Sequence, residues 1–177
     1  YTTLFRSRIY AIGDIHGCLA ELEQLINLIQ IDLEQNPIDD HSLIFLGDYI
    51  DRGPDNVRVI DRLISIQAEV PQSVFLRGNH DDRFLSFIKS PNVIGADVLL
   101  WGGNDTLTEY GVELRSDREF EPNAAAAYLR RSVPVQHVAF FKSLKTFHET
   151  ADYYFCHAGV RPGTPLLYQK SYDLRSE

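Results

Sequence analysis

The sequence predicts an α/β fold built on a mainly parallel sheet, and three observations carry that prediction. Short apolar runs alternate with stretches of helical period, three times in succession. Each run ends at a glycine, and each glycine is followed by carboxylate, imidazole or amide side chains. A helix between successive strands forces a crossover, which is right-handed and leaves the strands parallel.

The elements follow in order. "RIYAI" (8–12) reads as a buried strand and "GDIHG" as the loop after it. In "LAELEQLINLIQIDLEQ" (19–35), Leu19, Leu22, Leu25, Ile26, Ile29 and Leu33 fall on one helix face, and Pro37 with Asp39–Asp40 ends the run. "SLIFL" (42–46) is a second strand, followed by a helix over Val57–Ile66 with Val59, Ile60, Leu63 and Ile64 inward. "SVFLR" (73–77) is a third strand, then "GNHD" and a short helix around Arg83–Ile88. The glycine- and aromatic-rich "LLWGGNDTLTEYG" (99–111) has no clear period, whereas "NAAAAYLRR" and "VQHVAFFKSLK" read as helices. "TFHET" and "DYYFC" read as two strands joined by a short turn. With no internal repeat or low-complexity tract, the expectation is a single domain over residues 8–174, with a helical insertion at about 91–145.

Composition narrows the function classes. The 177 residues are 44% hydrophobic and 24% charged, enough apolar material for a core and against disorder. A formal charge of −8 leaves no electrostatic footprint for nucleic acid. No apolar run approaches the ~20 residues of a membrane span, and no secretory signal precedes the first strand. Two cysteines, Cys18 and Cys156, are too few for a disulfide framework, so the cytoplasm is the expected compartment; oligomeric state is left open. Methionine is absent, "YTTLFRS" reads like a translated sequencing adapter, and "RSE" like the start of the opposite one. Residues 1–7 and 175–177 are therefore expected to be non-native, and the rest a piece of a longer protein.

The stretch "LIFLGDYIDRGPDN" (43–56) poses the chemical question, because a buried strand ends in a run of carboxylates. In open α/β sheets ligands bind in the crevice beyond the strand C-termini. Three strands deliver Asp14 and His16, then Asp48, Asp51 and Arg52, then Asn79, His80 and Asp81 to that edge, and "DYYFC" ends in His157. So many acids in one place repel one another unless cations bind. Oxygen and imidazole donors without thiolate favour Mn²⁺, Fe or Zn²⁺ over a structural zinc site.

"GDIHG", "GDYIDRG", "GNHD" and "HAGV", in that order, resemble the signature blocks of calcineurin-like metallophosphoesterases. Within that family they are most similar to the phosphoprotein phosphatase branch, including bacterial and phage serine/threonine phosphatases, with symmetrical diadenosine tetraphosphate hydrolases close by. The resemblance spans residues 13–160 and implies the metallophosphoesterase fold: mixed, mainly parallel sheets flanked by helices, with a dinuclear metal site at the strand C-termini. It implies two divalent metal ions, Mn²⁺ first, with Fe or Zn²⁺ as alternatives. Asp14 and His16 would bind the first metal, Asp48 would bridge both at ~3.5–4 Å separation, and Asn79 and His157 would bind the second. A metal-bridging hydroxide would attack phosphorus, Arg52 would hold phosphate oxygens, and His80, oriented by Asp51, would protonate the leaving oxygen. Among the remaining residues, Asp55 reads as a turn residue and Arg77 and Asp81 as supports. His41, His137 and His148 read as surface or packing residues, and the two cysteines as small apolar fillers.

Relatives of this kind carry a further metal-binding histidine in a "GH" block and a second phosphate-binding arginine downstream of "HAGV". Neither occurs before residue 177, so the fold is expected to be truncated at its C-terminus, with Arg161 a weak candidate for the arginine. The leading expectation is hydrolysis of phosphoserine or phosphothreonine in proteins. The alternative is a symmetrical diadenosine tetraphosphate hydrolase, so the expected partner is a phosphoprotein or a dinucleoside polyphosphate. A non-catalytic metal- or partner-binding module is the third reading. His80, Asp51 and Arg52 argue against it, because a mere metal binder has no use for a general acid.

Overall fold

The structure, a computed structural model, describes residues 7–114 and 119–175. Among them, β1 (Ser7–Ile12), β2 (Asp40–Phe45) and β3 (Val74–Phe75) form one parallel sheet in the order β1-β2-β3, with Ile12 opposite Phe45 and Phe45 opposite Phe75. Helices α1 (Leu19–Gln35) and α2 (Asn56–Glu69) make the two crossovers. The buried face of α1 is Leu22, Ile26 and Ile29; Leu25, expected inward, is 37% exposed, because it lies to the side of that stripe. On α2 the buried stripe is Val59, Ile60, Leu63 and Ile66.

Beyond Phe75 the chain stays extended but changes partner. Leu76 N still donates to Phe45 O, whereas Arg77 N donates to Lys145 O. The expected five-residue strand is thus regular over only two residues. Then α3 (Asn79–Lys89) begins at Asn79, so "GNHD" is not a loop before a helix but runs into its first turn. Asp81 accounts for the early start, because its Oδ2 accepts the Gly78 N–H at 2.9 Å, half of a capping box.

The stretch after α3 is helical: α4 (Pro91–Ile94), α5 (Asp97–Leu100), α6 (Gly103–Glu109), α7 (Pro122–Ser132) and α8 (Val135–Ser143). It packs Leu107, Leu129, Phe140 and Phe141 into the same core as Phe45, Phe75 and Leu63. Phe45 and Phe75 stack with centroids 4.8 Å apart, and Phe140 meets Phe75 edge-on. Each such burial contributes ~1.5–3 kcal/mol. His137 on α8 is buried with both ring nitrogens engaged, by Tyr110 Oη at 2.9 Å and Asp61 Oδ1 at 2.8 Å, which pins α8 to α2.

On the opposite face of the sheet, Ile44, Val74 and Leu76 form a smaller cluster that Phe155 covers. Phe155 lies on β5 (Tyr154–Cys156), which pairs antiparallel with β4 (Phe147–Glu149) in a two-stranded sheet of its own. This hairpin carries His157 to the C-terminal end of the parallel strands. No helix among the described residues is long and apolar enough to cross a membrane.

Candidate metal centre

The loops after β1 and β2 interlock. Asp48 O accepts from both Ile15 N and His16 N at 3.0 Å, and Tyr49 O accepts from Gly17 N. Four non-glycine residues have left-handed backbones, His16 (φ 44°), Asp48 (54°), Asp51 (73°) and Arg52 (72°), and all four are residues singled out from the sequence. Each such conformation costs ~1–3 kcal/mol and persists only where surrounding contacts enforce it. The close approach of Gly53 is one such contact at His16: a Cβ on Gly53 would stand 2.0 Å from His16 O.

Asp48 Oδ2 is the centre of the cluster. It lies 3.4 Å from His157 Nε2, 3.8 Å from His16 Nε2 and 3.9 Å from His80 Nε2. Asp14 sits between two of these histidines, Oδ2 3.6 Å from His16 Nε2 and Oδ1 3.8 Å from His157 Nδ1. The Asn79 carboxamide tip is 3.3 Å from Asp48 Oδ2 and 3.1 Å from His157 Nε2. Its other end lies 2.9 Å from Arg83 Nη1. The protein's own hydrogen bonds favour the amide N–H₂ toward Asp48 and His157; a cation there would favour the carbonyl inward.

The histidines fit a metal. His16 Nδ1 is held by Ile50 O at 2.8 Å and His157 Nδ1 by Leu46 O at 3.0 Å, bonds that leave Nε2 of each ring to face a cation. His16 Nε2 is buried with no hydrogen-bond partner, an orphan that a cation would satisfy. Two sets of donor atoms lie within 4.8 Å of one another, His16–Asp48–His80 and Asp14–Asp48–His157, and both include Asp48. The expected grouping put Asp14 with His16; the geometry places Asp14 within reach of either set.

Burial works to raise the Asp48 carboxyl, but His157 and His80 outweigh it and hold it below the usual range. Burial likewise works to lower His157, and the Asp48 carboxylate more than reverses this. Behind them Asp81 is fully buried and accepts N–H bonds from Gly78, Asp48 and Tyr49. Burial, and then the charge of Asp48, push its carboxyl up to about 7 against those three donors.

His80 is set differently from the other histidines. Its Nδ1 is 2.8 Å from Asp51 Oδ2, and its Nε2 is 3.2 Å from Arg52 Nη2, so Arg52 covers it and only 1% of His80 is exposed. Asp14, Asp48, Asn79, His157, Arg52 and Arg83 open into one cavity of about 540 Å³. A larger one, about 850 Å³, lies beside α6 and α7 but is lined by Glu113, Glu119 and Glu121, which would repel an anion.

Several placements differ from expectation. Arg161 does not reach the cavity; its backbone is tied to Gln169, whereas Arg175 lines the cavity and pairs with Asp82. Arg77 donates to Phe141 O on α8 at 3.0 Å and also pairs at 3.5 Å with Asp82, which lines the cavity. Arg83 was not singled out, yet it lines the cavity and stacks 3.9 Å over the Trp101 ring. The signal in the sequence is its position one helical turn after Asn79, which counts only when the helix begins at Asn79 rather than at Arg83.

The family model for calcineurin-like phosphoesterases matches residues 7–175. The chain belongs to that family. A bis(5'-nucleosyl)-tetraphosphatase PrpE [asymmetrical] of Bacillus thuringiensis (strain Al Hakam) is 30% identical over 153 residues, 85% of this chain and 56% of the relative. One of the same name from Oceanobacillus iheyensis is 31% identical over 90 residues, 49% of this chain and 36% of the relative. The chain thus spans about half the length of the first of these relatives and less of the second. A crystal structure described as that of a candidate diadenosine tetraphosphatase superposes with a TM-score of 0.59 at 21% identity, covering 92% of this chain and 55% of that one, and shows the same fold. Divalent metal ions go with this family, and the clustered residues can hold them.

Proposed function

We propose that the protein hydrolyses a phosphoanhydride bond of a dinucleoside polyphosphate, with Asp14, His16, Asp48, Asn79 and His157 holding two divalent cations. The relatives' names support this over the phosphoprotein substrate, which was the leading expectation from sequence. They carry asymmetrical rather than the expected symmetrical cleavage, so the products proposed are a nucleoside triphosphate and a monophosphate. The observation in the structure that carries the reading is that Arg52 and Arg83, with Arg175 paired to Asp82, line the same cavity as the carboxylate cluster. A polyphosphate presents anionic oxygens to several partners at once, and arginine forks match that geometry.

When bound, the cations supply Lewis acidity toward water and phosphate oxygens. Asp48, the residue common to both donor sets, would be shared by the two cations; its Oδ2 faces the cluster while Oδ1 accepts from His80 N at 2.9 Å. Arg52 takes phosphate oxygens through its fork, and in doing so its donors leave His80 Nε2. In this geometry Nε2 accepts from Arg52 and carries no proton, so once freed it must first take one up. As the imidazolium, held by Asp51 at the opposite nitrogen, His80 then gives that proton to the leaving oxygen. Mn²⁺ is the cation proposed, since the carboxylate and amide oxygens suit it, with Fe or Zn²⁺ as the alternatives that the imidazoles suit.

The test is a parallel assay with Mn²⁺ on diadenosine tetraphosphate and a phosphoserine peptide, products separated by chromatography. ATP and AMP, with kcat/KM above that on the peptide, are expected. A higher kcat/KM on the peptide would restore the phosphoprotein reading, and ADP alone would restore symmetrical cleavage.

A further inference from the structure

We propose that Thr106, far in sequence from every strand-end motif, is the positioning residue for the Asp51–His80 pair. Thr106 is 1% exposed in α6, and its hydroxyl closes a ring with Asp51: Oγ1 donates to Asp51 Oδ1 at 2.5 Å and accepts from Asp51 N at 3.1 Å. A threonine inside a helix ordinarily turns its hydroxyl back to the carbonyl four residues earlier. Here it bridges to a residue 55 positions away instead.

The geometry gives that bridge a task. Asp51 uses Oδ2 for His80 Nδ1, at 2.8 Å. A carboxylate held by one oxygen can rotate about its last bond. With Oδ1 taken by Thr106, the plane of the group is fixed and Oδ2 stays aimed at the imidazole. Fixing Nδ1 in turn fixes where Nε2 points, toward Arg52 Nη2 at 3.2 Å and Asp48 Oδ2 at 3.9 Å. The same hydroxyl steadies the left-handed backbone at Asp51 (φ 73°), a conformation that needs external support.

Neighbouring contacts act in the same sense. Asp51 N also donates to Asn56 Oδ1, Asn56 N and Val57 N donate to the two Glu109 carboxylate oxygens, and Arg52 N donates to Gly102 O at 3.1 Å. Residues 102–109 therefore grip the Asp51–Arg52 turn from behind. The "WGGNDTLTEYG" segment contributes no wall to the cavity that holds the cluster. Its contribution is to the proton donor's alignment. This rests on the reading of His80 as that donor.

The experiment compares Thr106→Val, Thr106→Ser, His80→Asn and the Val/Asn double variant in the complete protein, with Mn²⁺. The substrates are p-nitrophenyl phosphate, whose leaving group scarcely needs a proton, and an alkyl phosphate, whose leaving group does. Misplacement by about an ångström lowers rates by ~10²-fold, so Thr106→Val is expected to lower kcat ~10–100-fold on the alkyl phosphate and much less on p-nitrophenyl phosphate. KM and bound Mn²⁺ should not change, Thr106→Ser should restore the rate, and the double variant should be no slower than His80→Asn alone. Should Thr106→Val fail to fold, Thr106→Ala carries the same expectation. Equal losses on both substrates, or losses that multiply in the double variant, would make Thr106 a merely structural residue and overturn the inference. If His80→Asn is selective for the alkyl phosphate while Thr106→Val is not, the inference alone falls. If His80→Asn is itself unselective, the proton-donor reading falls and takes the inference with it.

Discussion

Gly78→Ala should damage the metal centre through a single methyl group. Gly78 has an extended backbone (φ −85°, ψ 177°) that any residue adopts, so only space is at issue. A Cβ there would stand 2.0 Å from Asp48 Oδ1, 2.5 Å from Asp48 N and 2.7 Å from Asp48 Cγ. Relaxed carbon–oxygen contacts lie at ~3.3–3.6 Å, so the two chains must part by more than ~1 Å. That movement breaks two buried bonds, His80 N to Asp48 Oδ1 and Asp48 N to Asp81 Oδ2, both 2.9 Å. Overpacking costs ~1–3 kcal/mol and the strained bonds add to it, so a loss of about 3 kcal/mol is expected. For a chain of this length that lowers Tm by ~6–12 °C. Displacing the shared carboxylate should weaken Mn²⁺ binding at least ~10–100-fold, since even outer-shell partners are worth that much. Thermal unfolding by circular dichroism and calorimetric titration with Mn²⁺ measure the two effects. Gly13→Ala is the control, because its Cβ meets nothing within 4 Å and should leave both unchanged. A Gly78→Ala protein with wild-type Tm and Mn²⁺ affinity would show that Asp48 does not sit against Gly78.

Two further predictions bear on the centre and its scaffold. Asp48→Asn should reduce bound Mn²⁺ below two per chain by elemental analysis, because a neutral amide cannot give anionic oxygens to two cations; two tightly held ions would contradict the bridging role. His137→Ala leaves the buried Tyr110 hydroxyl unpartnered and should cost ~1–3 kcal/mol in denaturant unfolding while kcat per folded molecule is unchanged.

The strand ends were legible in the sequence because glycine followed by a carboxylate or imidazole after an apolar run leaves little else for those side chains to do. Asp14, His16, Asp48, Asn79 and His157 all converge on one place, and α1 and α2 follow their apolar period closely. The parts that escaped are those whose cause lies far along the chain. Thr106 and Glu109 meet Asp51 and Asn56 across 55 and 53 positions, and no local period announces such a contact. The short helices α4, α5 and α6 are separated by Gly95 and Gly102, both with positive φ, so none is long enough to show a repeat. His137 reads in isolation as a packing residue, and it does pack, but as the middle of a Tyr110–His137–Asp61 relay. Substrate class was the hardest to read, because the ligand motifs serve phosphoester and phosphoanhydride alike.

The central claim is that side chains from four separate strand ends hold two cations about Asp48. Diffraction from crystals soaked in Mn²⁺, recorded at the manganese absorption edge, tests it most directly. Two anomalous peaks are expected ~3.5–4 Å apart, both in contact with the Asp48 carboxylate, with His16 and His157 each supplying Nε2 to one of them. Absence of any peak at the cluster, or a single peak that leaves Asp48 uncoordinated, would contradict the account.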